Sequence, residues 1–256
     1  MGDGVLSIFK TRGLVLKTQD YKENDKLIWI FSEKLGKVSA IARGAKKGKS
    51  KFMATTQSFC FGEYVLYRGK SIYTINEVQI IDSFQSILKD IDSITYGSYF
   101  CELILIALND EESNRELFKE FIKAFYLLKS KAVDIEILTR CFEIKLLDAT
   151  GYRFNFDRCC ICGKGVATCN YINFQYHGGI CTECNRVNGM GISYPAYNVL
   201  RFLNKTPIEN INRISVSNEI KKEIYKILDI FISHSYTRKP KSLEIFNYLK
   251  GSEYNE

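Results

Sequence analysis

The sequence predicts an α+β chain of several domains: a five-stranded barrel at the N-terminus, a mainly helical body, and a four-cysteine module inserted in that body. Three observations carry this expectation. Apolar residues alternate in short runs up to about residue 82 and then recur at helical spacing. Two Cys-x2-Cys pairs stand in an otherwise loop-like stretch. The charge is also segmented. Residues 1–83 hold 14 Lys and Arg against 8 Asp and Glu, residues 84–150 hold 8 against 12, and residues 151–256 hold 14 against 9. The net +7 is therefore +6, −4 and +5 along the chain, two basic ends around an acidic middle.

The barrel comes first, over residues 1–82. Runs rich in Val, Ile, Leu, Tyr and Phe occupy Gly13–Thr18, Lys26–Ser32, Lys37–Arg43, Phe59–Tyr67 and Ile72–Ile81. Turn signals separate them: Asn24-Asp25, Leu35-Gly36, the Gly/Lys stretch 44–51, and Gly69-Lys70. Five strands in so short a span, with no long helix between them, match an OB-fold. An SH3-like barrel or a plain meander fits the same pattern.

Residues 83–150 form the expected helical domain. Ile94, Phe100, Leu103, Ile104, Ala107 and Leu108 share one side of a first helix. Leu117, Phe121, Ala124, Phe125 and Leu128 do so in a second, and Ile135, Leu138, Phe142, Lys145 and Leu146 in a third, these stripes reading as core. Residues 151–191 read as a cysteine-rich, loop-like module. Residues 192–256 return to helix: Pro195 sits at a helix start, Ile220 to Ile232 mark a longer helix, and Pro240 opens a last one through Leu249.

Composition narrows the classes. A content of 46% hydrophobic residues, 13% of the chain being aromatic, is too rich for disorder. The longest apolar run, Leu103 to Leu108, is far short of the roughly 18 residues of a membrane helix. The start MGDGVLSIFKTRG lacks the pattern of a secretory signal, so the expected compartment is the reducing cytosol. There, nine cysteines point to metal binding or burial rather than to disulfides. Two histidines, His177 and His234, leave little material for acid–base catalysis.

Cys159, Cys162, Cys181 and Cys184 give C-x2-C-x18-C-x2-C, inside the spacing of a four-thiolate zinc site. Two tight turns aim four sulfurs at one ion and leave no position for substrate, so the expected Zn2+ is structural. Cys160 competes with Cys159 for one corner, Cys169 is spare, and Cys60, Cys101 and Cys141 stand in apolar contexts where a buried thiol is the default. A catalytic zinc lacks its partners, since no His-x-Glu or H-E-x-x-H is present. His177, followed by two glycines, reads as a solvent-exposed loop residue.

The second signal is Arg43-Gly44-Ala45-Lys46-Lys47-Gly48-Lys49-Ser50-Lys51-Phe52, with five cations in positions 43–51 and no acid. Three residues rather than four between Gly44 and Gly48 exclude a nucleotide-binding P-loop. The segment reads instead as a mobile basic loop meeting a phosphate chain through Arg43, Lys46, Lys47, Lys49 and Lys51. Trp29, Phe52, Phe59, Phe61, Tyr64, Tyr67 and Tyr73 lie in the same domain; one or two are expected at the surface, with Phe52 best placed to stack on bases. A smaller cluster, Arg238, Lys239 and Lys241, extends the candidate nucleic-acid path. With 25 lysines to 11 arginines, diffuse phosphate contact is favoured over base reading.

The order of these parts, with Thr11-Arg12-Gly13-Leu14-Val15-Leu16, Tyr21-Lys22-Glu23-Asn24-Asp25-Lys26, Gly36-Lys37-Val38, the basic loop, Gly178-Gly179-Ile180-Cys181 and Lys241-Ser242-Leu243, resembles the RecO family of DNA repair proteins over the whole chain. The resemblance implies an N-terminal OB-fold, a helical body and, in many members, a structural zinc. It also implies a bacterial cytoplasmic, nucleoid-associated protein with no catalytic residues. Such a protein binds single- and double-stranded DNA and anneals complementary strands. Its partners are RecR and single-strand-binding protein, and it assists the loading of RecA in recombination after DNA damage. The family's basic-loop positions fall on Arg43, Lys46 and Lys47, and its metal positions on the four cysteines. A sequence-specific zinc-ribbon transcription regulator is the competing reading, and a thiol oxidoreductase using Cys159 and Cys162 a third.

Overall fold

The computed structural model describes residues 7–236, 238, 240 and 242. Five strands come first: β1 (Ile8–Tyr21), β2 (Asp25–Ser32), β3 (Gly36–Ala42), β4 (Phe61–Arg68) and β5 (Tyr73–Asp82). They close into a barrel in the order β1-β2-β3-β5-β4. All neighbours are antiparallel except β3 and β5, which run parallel where Ala40 faces Tyr73 and Ile41 faces Thr74. That parallel closure excludes a meander and, with the long excursion between β3 and β4, makes the barrel an OB-fold. Alternation places Val15, Ile28, Ile30, Val38, Ala40, Leu66 and Ile75 in its interior. β1 is longer than the sequence signal because it bonds to β2 along one part and β4 along another.

The helical elements are α1 (Ile91–Ala107), α2 (Arg115–Ser130), α3 (Ile135–Ala149), α4 (Tyr194–Lys205) and α5 (Asn218–Ser235). Their starts follow from side-chain caps. The Asp90 carboxylate accepts from the Ser93 N–H, Asp134 from Glu136 and Ile137, and Ser193 from Ala196 ahead of the α4 that Pro195 helps open.

Two compact units result. The first contains the barrel, α1 and α2 as far as Phe125, together with Pro240 and Ser242. Here Phe31 on the outside of the barrel meets Phe118 and Phe121, and Phe59 and Phe84 meet Phe125, forming an aromatic core distinct from the barrel interior. The second runs from Tyr126 to Arg238. In it α3, α4 and α5 pack against one another around Leu138, Phe142, Leu147, Leu200, Leu203, Ile224 and Phe231. The stretch after Gly151 is more than loop. It carries β6 (Tyr171–Asn173), β7 (Gly178–Gly179) and β8 (Gly189–Gly191), a sheet of order β7-β6-β8. No described helix is long and apolar enough to cross a membrane. The expected last helix beyond Ser242, with Lys239 and Lys241, lies outside the described residues.

Candidate metal centre and nucleic-acid interface

The sulfurs of Cys159, Cys162, Cys181 and Cys184 all lie within 4.8 Å of one another. Each pair is a tight turn: the Gly163 N–H donates to Cys159 O at 2.9 Å and the Cys184 N–H to Cys181 O at 3.4 Å. The Cys162 and Cys181 sulfurs stand 3.8 Å apart, too far for a disulfide, and all nine cysteines are free. A tetrahedron with metal–sulfur arms of about 2.3 Å has edges of about 3.8 Å, so the spacing fits a four-coordinate soft or borderline cation.

Electrostatics supports the same reading. Burial opposes ionising Cys159, but N–H groups of Cys181, Cys162 and Ile161 directed at its sulfur outweigh this and bring the thiol to about 6. Cys184, as a thiol bonded to the sulfurs of Cys162 and Cys181, is pushed up to about 12. Crowded sulfurs that must share protons are relieved by one dication. The competition for the first corner is decided by geometry. Cys160 turns its sulfur toward Gly178 O at 3.7 Å, away from the cluster, and burial pushes it up to about 11.

The surrounding sheet explains the double glycine. A Cβ at Gly179 would stand 2.4 Å from the Tyr197 oxygen and 2.7 Å from the Cys169 sulfur, so β7 passes too close to α4 for any side chain. Tyr197 in turn donates to Phe156 O at 3.1 Å, while Asp157 accepts from Arg201 and Lys205, each at 2.7 Å. These bonds fasten α4 to the cysteine-rich module. His177 corrects an expectation. Rather than an exposed loop residue, it is half-buried among Tyr152, Phe154 and Phe231, and burial lowers its pKa. It is outside the sulfur cluster. With His234 it lines an open cleft of about 540 Å³, a juxtaposition that no sequence spacing announces.

The basic segment 43–51 is a chain of turns anchored at both ends rather than a free loop. Asp25 accepts from the Gly44 N–H at 2.8 Å and Asn24 O from the Lys46 N–H at 3.0 Å. At the other end Thr55 and Thr56 hydroxyls donate to Phe52 O. This corrects the place of Phe52, whose ring is 7% exposed and belongs to the barrel core, so it offers no face to a base. An aromatic residue closing a long excursion is drawn inward because that anchors the segment. Trp29 and Tyr67 are the half-buried members of the seven barrel aromatics.

Among the cations, Lys46 pairs with Asp20 at 2.9 Å, and Lys51 donates to Asn76 O at 3.2 Å above the Phe52 ring. Arg43, Lys47 and Lys49 are exposed with no ion-pair partner among the described residues. Arg238, in the second unit, is also exposed.

Residues 6–84 match the family described as Recombination protein O N terminal, and residues 88–244 match Recombination protein O C terminal. The DNA repair protein RecO of Clostridium novyi (strain NT) is 71% identical over 256 residues, covering 100% of both chains. That of Clostridium kluyveri is 52% identical over the same full length. The namesake from Clostridium acetobutylicum is 51% identical over 245 residues, 96% of this chain and 99% of its own. Matched in both halves and along its whole length, the chain belongs to the RecO family of DNA repair proteins.

Proposed function

We propose that the protein is a non-enzymatic recombination mediator. It binds single- and double-stranded DNA through the basic side of its barrel, anneals complementary strands, and assists RecR in loading RecA onto DNA coated by single-strand-binding protein. The four cysteines hold a structural Zn2+ that completes the fold of the second unit. The observation carrying this reading is the membership just described together with a barrel loop whose Arg43, Lys47 and Lys49 have no acidic partner among the described residues.

Unpaired, solvated cations release the condensed counterions of a phosphate chain when they bind it. Contact with two strands at once lowers their mutual repulsion, and a multi-site surface raises the local concentration of the second strand. A closed sulfur tetrahedron fits structure rather than catalysis. The test is annealing of complementary oligonucleotides, naked and coated with single-strand-binding protein. Acceleration independent of base sequence is expected. Strong preference for one duplex sequence without annealing identifies a transcription regulator instead.

A further inference from the structure

The outer face of β1, β2 and β3 divides in two. Cross-strand register sets Leu14 beside Phe31, Lys17 beside Trp29 and Gln19 beside Leu27; on the other side of β2, Trp29 faces Ser39 and Leu27 faces Ile41. The first row is sealed, since Phe31 lies under Phe118 and Phe121 of α2. A register shift between Val15 and Lys17 marks the change. Beyond it Leu27, Trp29 and Ile41 are half-buried and Lys17 and Tyr21 exposed, while the inward residues Ile28, Ile30 and Ala40 are at 0%.

This open stretch is apolar surface with cations set along it. Lys17 Nζ lies 5.1 Å from the Trp29 ring centre, Lys22 Nζ lies 5.5 Å from that of Tyr21, and Arg43 follows directly on β3. Nearby carboxylates are engaged, Asp20 by Lys46 and Asp25 by the Gly44 N–H, while Glu23 stands exposed at the turn. Rings flanked by cations match the alternating bases and phosphates of a single strand, whereas a duplex conceals its base faces. The four residue steps of β1 from Lys17, beside Trp29, to Tyr21 span about 13 Å, room for more than one nucleotide.

We infer that Trp29 is the platform on which a base of single-stranded DNA stacks, with Lys17 beside it for the adjoining phosphate and Tyr21 further along the same track. The inference rests on the DNA-binding reading above and adds where bases, rather than phosphates, are held.

Trp29 is the single tryptophan of the chain, so its emission reports this position in the unaltered protein. Titration with an oligothymidylate is expected to quench that emission, and a duplex of equal length to quench it far less. Trp29→Ala is expected to weaken oligothymidylate binding roughly tenfold, toward the low end of one base–aromatic stack, and Trp29→Phe to restore most of it. Anisotropy of a labelled oligonucleotide is followed in parallel. Salt-sensitive binding with unmoved emission and unchanged Trp29→Ala affinity overturns the platform and leaves the DNA-binding reading standing. Equal quenching by duplex also overturns it, and absence of any binding overturns both. Should Trp29→Ala fail to fold, the emission of the unaltered chain decides.

Discussion

Cys160 stands one position from Cys159 of the sulfur cluster and is chemically identical to it, yet its sulfur faces Gly178 O while those of the cluster face one another. The expected outcome is that Cys160→Ser retains bound metal and that Cys162→Ser or Cys184→Ser loses most of it, read as metal content of the purified protein. Because all four ligands bind as thiolates, protons compete with the ion, and metal retention is expected to fall as pH drops below neutrality. Gly179→Ala is a subtler lesion, since the added methyl meets Tyr197 and Cys169 at sub-contact distance. It is expected to lower the melting temperature of the metal-loaded protein with the ligands intact. His177 gives a second pH effect. Burial lowers its folded pKa, so the neutral ring is favoured and its stabilisation is fully present above the unfolded value near 6.5. That stabilisation is lost as pH falls toward the folded pKa. His177→Asn suits the left-handed backbone at φ 48° and is expected to flatten the slope of denaturation midpoint against pH below 6.5 relative to the parent chain.

Elements were legible in proportion to how far local pattern decides their burial. The stripe Leu138, Phe142 and Leu146 announces α3, and Pro195 announces the start of α4, which the structure caps with Ser193. The clustering of the four cysteines was legible because their Cys-x2-Cys spacing itself sets the two turns. By contrast α1 buries Ser93, Tyr96, Tyr99 and Cys101 as well as Phe100, Leu103 and Ile104 of the expected stripe, while Ile94 and Ala107 of that stripe are only half-buried. Phe52 was misplaced because only the closed barrel shows that its ring is needed inside. Arg140 and Glu143 were not legible at all. Three positions apart on a helix they read as a solvated pair, yet their side chains are 4% and 0% exposed, 2.9 Å apart, with the guanidinium 5.1 Å from the Tyr225 ring of α5. Breaking a buried ion pair by removing one member costs about 3–5 kcal/mol. Glu143→Ala is accordingly expected to lower the unfolding free energy by that order in urea titration, and the double change Arg140→Met, Glu143→Leu to recover most of it. Equal losses in the single and double variants contradict this account.

At the scale of the molecule, the modest +7 conceals an uneven distribution of charge along the chain and over the barrel. Several barrel cations are already spent on local acids: Lys10 on Glu63, Arg12 on Glu33, Lys37 on Asp110 and Arg68 on Glu111. The last two acids come from the negative middle segment, so part of that charge neutralises one side of the barrel. Among the described residues Arg43, Lys47 and Lys49 of the loop carry no ion pair, and neither do Lys17 and Lys22 on the strip that holds Trp29. Sequence alone gives five loop cations and hence a log–log salt slope near −3.5 for single strands, at roughly −0.7 per contact. Three unengaged cations bring the loop's share to about −2. Lys47→Gln with Lys49→Gln is therefore expected to reduce the slope of single-strand affinity against salt by about 1.4. Lys10→Gln with Arg12→Gln, an equal loss of formal charge, is expected to leave it unchanged. If both pairs shift the slope alike, the affinity follows net charge and not its placement, and the assignment of a DNA-facing side of the barrel fails.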